Sequence, residues 1–200
     1  MRLLVIRHGE SEADLLGVHE GRADFSLTPR GHAQAEAMSG FVAGEWKLER
    51  IYHSTLTRAR QTAEHLAKVA LCPLIPYDEL MEFNNGLLAG LTYAEADEKY
   101  PEVPDLPPDK SMYGMESALE FRARAERALE RVLSETGEDE TAAIVSHGGM
   151  INQLYHAFLK LPVDDGCRFA SGDTAVHVWL VRGNERIVLH ANLTDHTEGI

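Results

Sequence analysis

Apolar residues arrive in two rhythms along this chain. Leu3-Leu4-Val5-Ile6 and Thr141-Ala142-Ala143-Ile144-Val145 are nearly uninterrupted, as expected of strands buried on both faces. Between such runs, apolar side chains recur every three or four positions, the spacing of a helix with one face turned inward. One helix starts at Thr28-Pro29, with Thr28 as N-cap and Pro29 in the first helical position. Ala35, Met38, Phe41 and Val42 form its inner face, and it ends near Gly44. Residues 50–54 read as a second strand and 56–70 as the helix behind it, with Ala59, Thr62, Ala63, Leu66 and Ala67 inward. Residues 72–77 are apolar but broken by Pro73 and Pro76, which suits an edge strand. Capping boxes at Thr92/Glu95 and Ser117/Glu120 open two further helices, the second running to about Glu135 with Phe121, Ala125, Leu129 and Val132 on one side. Arg122, Arg124, Arg127 and Arg131 alternate with glutamates there and read as a salt-laced outer face. Met150, Ile151, Leu154, Tyr155 and Phe158 mark a buried helix that stops before Pro162. Residues 175–181 and 187–190 read as a last hairpin, and the polar tail 192–200 as mobile.

Strand and helix alternate throughout. The expected fold is α/β: a three-layer α/β/α sandwich around a mostly parallel sheet with an antiparallel edge, built as a single domain over residues 1–200. A chain of this length buries about 70% of its unfolded surface and needs no staples. The one irregular stretch, 101–114, holds four prolines and reads as a flap.

Composition narrows the partners. Nineteen basic against 32 acidic residues leave a net charge of −13, which disfavours nucleic acid and anionic membranes as partners. The two cysteines, Cys72 and Cys167, show neither disulfide nor metal-knuckle spacing and fit a reducing compartment. Met1-Arg2-Leu3 runs straight into the first strand, leaving no room for a signal peptide, and no apolar run spans a bilayer. A cytoplasmic monomer or homodimer is the expectation.

Chemistry concentrates where the two most apolar strands stop. The first ends in Arg7-His8-Gly9-Glu10-Ser11 and the other in Ser146-His147-Gly148-Gly149. Open α/β sheets place ligand sites at these carboxyl ends, and Gly9 lets the chain turn sharply and a ligand come close. Arg58 falls in the first turn of the helix behind the second strand, where the dipole gives a cation no benefit but an anion would be welcome. Arg7, His8, Arg58 and His147 in one pocket would demand a multiply charged anion such as a phosphoryl group. Glu82, between Met81 and Phe83, is a candidate general acid. His8, Glu10, Asp14 and His147 are legitimate metal-ligand types, yet Arg7 and Arg58 would repel a divalent cation. Ser54 or Ser146 as a hydrolase nucleophile also stays possible, although neither lies in a nucleophile-elbow sequence.

Four segments together resemble the histidine phosphatase superfamily, the clan of the cofactor-dependent phosphoglycerate mutases. They are Arg7-His8-Gly9-Glu10-Ser11, the run from Ser54 through Arg58 to Ala63, Met81-Glu82-Phe83 with Gly86 and Gly90, and Ser146-His147-Gly148. They stand in the family's order and span nearly the whole chain, and the chain's length resembles the broad-specificity and α-ribazole phosphatase branch. The resemblance implies a metal-independent, cofactor-free hydrolase of small phosphate monoesters. In it His8 becomes phosphorylated, Arg7, Arg58 and His147 clamp the phosphoryl oxygens, and Glu82 donates a proton to the leaving oxygen. Glu20 and Gly21 match a place where relatives meet the phosphate or the rest of the substrate. Asp14 stands where many relatives carry asparagine, and a carboxylate there would oppose an incoming phosphate. A phosphoglycerate mutase is the alternative, and a non-catalytic phosphate-binding module a further one. The compact stretch between Glu82 and His147 favours the hydrolase, since a mutase must keep water from its phosphohistidine.

Overall fold

The computed structural model describes residues 1–163 and 166–200. Its strands are β1 (Arg2–Arg7), β2 (Arg50–His53), β3 (Leu74–Pro76), β4 (Thr141–Ser146), β5 (Val176–Arg182) and β6 (Glu185–Leu193). The helices are α1 (Glu12–Leu16), α2 (Pro29–Glu45), α3 (Thr57–Ala70), α4 (Tyr93–Lys99), α5 (Ala118–Glu135) and α6 (Gly148–Leu159). The strands form one sheet in the order β3-β2-β4-β1-β5-β6. The β1, β2, β3 and β4 pairings are parallel, whereas β5 and β6 add an antiparallel edge.

Period-two alternation divides each strand between two cores. Leu3, Val5, Ala142, Ile144 and Trp179 face α5 and α6, with Phe121, Leu129, Leu154 and Phe158 opposite them. Leu4, Ile6, Ala143, Val145 and Val178 face α2 and α3, where Met38, Val42, Ala63 and Leu66 meet them. Three layers result, as the strand-helix alternation requires. The Thr28 hydroxyl accepts the Gly31 amide 2.9 Å away to cap α2, and Ser117 and Thr92 close both expected capping boxes.

Three expectations need correction. Gly9 has no positive φ; it is needed because a Cβ there would come within 2.5 Å of the Gly31 carbonyl oxygen, so β1's exit and α2's first turn touch backbone to backbone. The tail is not loose: Leu193 ends β6, His196 stacks on Phe41 at 5.4 Å, and Arg30 donates to the Ile200 carbonyl. Arg122 and Arg124 are not on an outer face but are buried at 6% exposure each. Arg122 donates to the His156 and Leu161 carbonyls at the end of α6, and Arg124 reaches under the site.

Candidate active site

Parallel pairing sets Arg7 level with Ser146, so the next residue on each strand, His8 and His147, emerges beside the other. The two rings lie 5.1 Å apart between centroids, tilted by 60°, and both are essentially sealed from solvent. His8 Nδ1 lies 2.7 Å from the Gly9 carbonyl oxygen, which can only accept, so Nδ1 carries the hydrogen. Nε2 is therefore the lone-pair nitrogen, and the Arg58 Nε–H points at it from 3.3 Å. Burial first, then Arg58 and Arg7, hold His8 well below the usual imidazole range, so it is neutral at pH 7.

Arg58 has no exposed surface. Its Nη1 donates to the Ala23 carbonyl at 3.0 Å and its Nη2 to the Gly21 carbonyl at 2.8 Å. Gly21 has φ +48° and no room for a Cβ, which would overlap the Asn85 side chain. Gly21 thus acts on the pocket through Arg58. Asp24, read from sequence only as loop, caps α3 by accepting the Thr57 amide at 2.7 Å and the Thr57 hydroxyl at 2.9 Å. On the opposite side Arg7 donates to the Ser171 carbonyl at 2.7 Å and lies 3.5 Å from Asp173 Oδ1.

The Ser54 hydroxyl oxygen accepts the Leu56 amide at 3.3 Å and lies within hydrogen-bond distance of His147 Nε2, 2.8 Å away. The other ring nitrogen of His147, Nδ1, is buried and has no hydrogen-bond partner among the described residues. Ser54 and Ser146 are fully buried, and Ser146 donates to the Leu80 carbonyl. Burial, followed by Arg58 and His8, also keeps His147 well below its usual range.

Glu82 comes from the loop after β3. Its Oε2 accepts the Gly149 amide at 2.8 Å, in the first turn of α6, and its Oε1 accepts the Phe83 amide at 2.7 Å. Arg124 braces this loop from beneath, donating to the carbonyls of Glu79, Met81 and Glu82 at 2.8, 2.6 and 3.0 Å while pairing with Glu116. Sequence reading missed Arg124, although a signal existed: it lies three residues after Phe121 and four before Ala128, on the apolar face of α5.

Asp14 is engaged at the start of its own helix. It accepts the Ser11 amide at 2.8 Å and completes the capping box of α1. Glu20 faces inward, with Oε2 3.1 Å from Arg58 Nε and 3.6 Å from His8 Nε2. The structure thus brings together Arg7, His8, Glu20, Arg58 and His147, with Gly21 behind Arg58, Glu82 alongside and Asp14 at the helix cap.

Beside Glu82 opens a cleft of about 830 Å³, lined in part by Phe83, Met112, Met115, Lys110, Gln153 and Arg168. Tyr113, from the same flap, packs instead on Tyr100. A cavity of about 780 Å³ lies at the opposite strand ends, around Arg2 and Thr141. Among the described residues, no three His, Cys, Asp or Glu side chains are grouped to hold a metal ion, and no helix is long and apolar enough to cross a membrane.

The family model described as "Histidine phosphatase superfamily (branch 1)" matches residues 3–194. Phosphoserine phosphatase 1 of Hydrogenobacter thermophilus is 28% identical over 200 residues, covering 98% of this chain and 94% of the relative. The metal-independent phosphoserine phosphatase of Arabidopsis thaliana is 28% identical over 163 residues, covering 76% of this chain and 66% of its own length. The solved structure of mycobacterial glucosyl-3-phosphoglycerate phosphatase in complex with VO3 superposes with a TM-score of 0.84 at 26% identity, over 96% of this chain and 98% of the other.

Proposed function

The chain belongs to the histidine phosphatase superfamily, branch 1, and from that premise we propose that it is a metal-independent phosphomonoester hydrolase working through a phosphohistidine on His8. One observation carries the reading. His8 is held as the neutral tautomer with its Nε2 lone pair turned to the Arg58 Nε–H, and it lies between two buried or half-buried guanidiniums and a second imidazole. A neutral imidazole attacks phosphorus in line, and charge gathers on the equatorial oxygens that Arg7, Arg58 and His147 meet. Glu82 passes a proton to the leaving alkoxide as the P–O bond breaks. It then takes one from water, whose oxygen displaces His8 and leaves inorganic phosphate. Arg7, Arg58 and His147 thus bind and stabilise, while His8 and Glu82 react. Glu20 adjoins the phosphoryl position, Gly21 holds Arg58, and Asp14 makes no contact with the phosphoryl group.

Phe83, Met112 and Met115 beside Lys110 and Arg168 suit a leaving group that is partly apolar and carries an acidic or polar end. The outer lining, including Pro107, Pro108 and Lys110, is exposed, which lets water reach the intermediate and favours hydrolysis over transfer to a second substrate. The reading includes a single cytoplasmic domain, monomeric or homodimeric, that binds neither nucleic acid nor membrane. The test is hydrolysis of an aryl phosphate with a chelator present. Wild-type turnover should survive chelation and fall at least about a thousandfold in His8→Ala. Chelator-sensitive turnover, or an active His8→Ala protein, would overturn the reading.

A further inference from the structure

Glu20 stands where an incoming anion has to go. Its Oε2 is within hydrogen-bond reach of Arg58 Nε, its Oε1 accepts the Ser11 hydroxyl, and its carboxylate faces His8 Nε2 from 3.6 Å. The Ala23 and Gly21 carbonyls already engage Nη1 and Nη2 of Arg58, so the Nε edge is the side turned to the nucleophile. A phosphoryl oxygen approaching His8 Nε2 along that edge meets a carboxylate. Two anions in contact in a site largely closed to water repel strongly.

The charged and titratable groups facing Glu20 are Arg7 and His8 at the end of β1, Asp14 on α1 and Arg58 on α3. Glu82 and Asp24 press on Arg58 from further out. Swinging the carboxylate aside would break its contacts with Arg58 and Ser11. Adding a proton in place removes the repulsion and turns an acceptor into a donor, with no movement needed. Burial already pushes the Glu20 carboxyl above its ordinary value, and Asp14 adds to the rise, against the pull of Arg58 and Ser11.

We propose that Glu20 is a proton-coupled ligand of the phosphoryl group: the pocket takes up one proton, on the Glu20 carboxyl, with each tetrahedral dianion it binds. The proton comes from solvent, and no bond to phosphorus forms or breaks in this step. The neutral carboxyl then donates to a phosphoryl oxygen beside Arg58. From the hydrolase reading the proposal takes only the place of the phosphoryl group.

Sulfate is the suitable probe, being tetrahedral and dianionic throughout the working range. Calorimetry of the whole wild-type protein, in buffers of different ionisation enthalpy from pH 6 to 8.5, should show one proton taken up per sulfate on the alkaline side. Kd should rise there about tenfold per pH unit. Glu20→Gln keeps the shape and offers a permanent N–H donor. It should abolish the uptake, flatten Kd against pH and bind sulfate at least about tenfold tighter than wild type at pH 8.5. Wild-type binding without proton uptake overturns the proposal on the native protein alone, whatever the variant does. Uptake that persists in Glu20→Gln also overturns it, by placing the proton on His8, His147 or Asp173, and so does a wild type that binds no sulfate at pH 6. The aryl phosphate assay is separate: a protein that couples sulfate to a proton but hydrolyses nothing refutes the hydrolase and leaves this proposal standing.

Discussion

Arg124 shows how much of this site is held by residues that never meet the substrate. A guanidinium sealed at 6% exposure makes three contacts to carbonyls of one loop, those of Glu79, Met81 and Glu82, and two to Glu116, and so fixes the backbone from which Glu82 projects. Arg124→Ala should lower kcat by about tenfold to a hundredfold, a fraction of what general acid catalysis contributes. Alkyl phosphates should suffer more than aryl phosphates, whose better leaving groups need the proton less. Steady-state kinetics on one ester of each kind decides it, and equal slowing of both would detach Arg124 from Glu82. Lysine offers a single point charge and should not restore the rate. At this scale the sequence was legible where chemistry ends a strand: Arg7, His8 and His147 announce themselves by following four or five buried apolar residues. Arg124 did not, because glutamates interleave with it as they do with exposed arginines, and only its helical position betrays it. Ser54 was visible as a hydroxyl, but its use in orienting His147 depends on β2 and β4 being neighbours, which no local pattern states.

The elements that carry the pocket meet with very little clearance. A Cβ on Gly31 would stand 2.0 Å from the Glu10 carbonyl oxygen, and one on Gly9 would stand 2.5 Å from the Gly31 carbonyl oxygen. Since Gly31 is helical without positive φ, Gly31→Ala isolates the steric effect from backbone freedom. It should cost about 1–3 kcal/mol, read as a drop in the urea midpoint at unchanged m-value, and reduce activity through the displaced His8 turn. An alanine variant as stable and active as wild type would mean that α2 shifts freely against β1. The helices themselves were readable from caps and spacing: Thr28, Thr92 and Ser117 all begin helices as their patterns require. The last strand was readable only in its middle, at 187–190. β6 runs to Leu193, into the stretch read as tail, because its half-exposed side chains leave little apolar rhythm and its pairing comes from β5.

For the whole molecule, the dominant titration is that of buried neutral histidines. Burial holds His8, His53, His65, His147, His177 and His196 below their ordinary value of 6.5, His177 at about 4. Each binds its proton more readily once unfolded, so stability is fully present above about pH 6.5 and is lost as the pH falls through the folded-state values. His177 alone accounts for about 3 kcal/mol by pH 4. Glu20 and Asp173, both raised, act in the opposite sense below neutrality, but they are two groups against six. Urea midpoints should therefore be flat from pH 7 to 8 and fall steadily below 6.5; a midpoint that rises on acidification would contradict the neutral state assigned to these rings. The sandwich was legible from alternation alone. The strand order was not, since it depends on which distant runs pair. That order has a consequence for how the chain comes into being: β1 is synthesised ahead of the other strands, yet it pairs with β4 and β5, encoded in the last third of the chain. During synthesis, Leu3, Leu4, Val5 and Ile6 must wait without strand partners while most of the polypeptide is made. A chain interrupted before Thr141 lacks both His147 and the two strands that pair with β1.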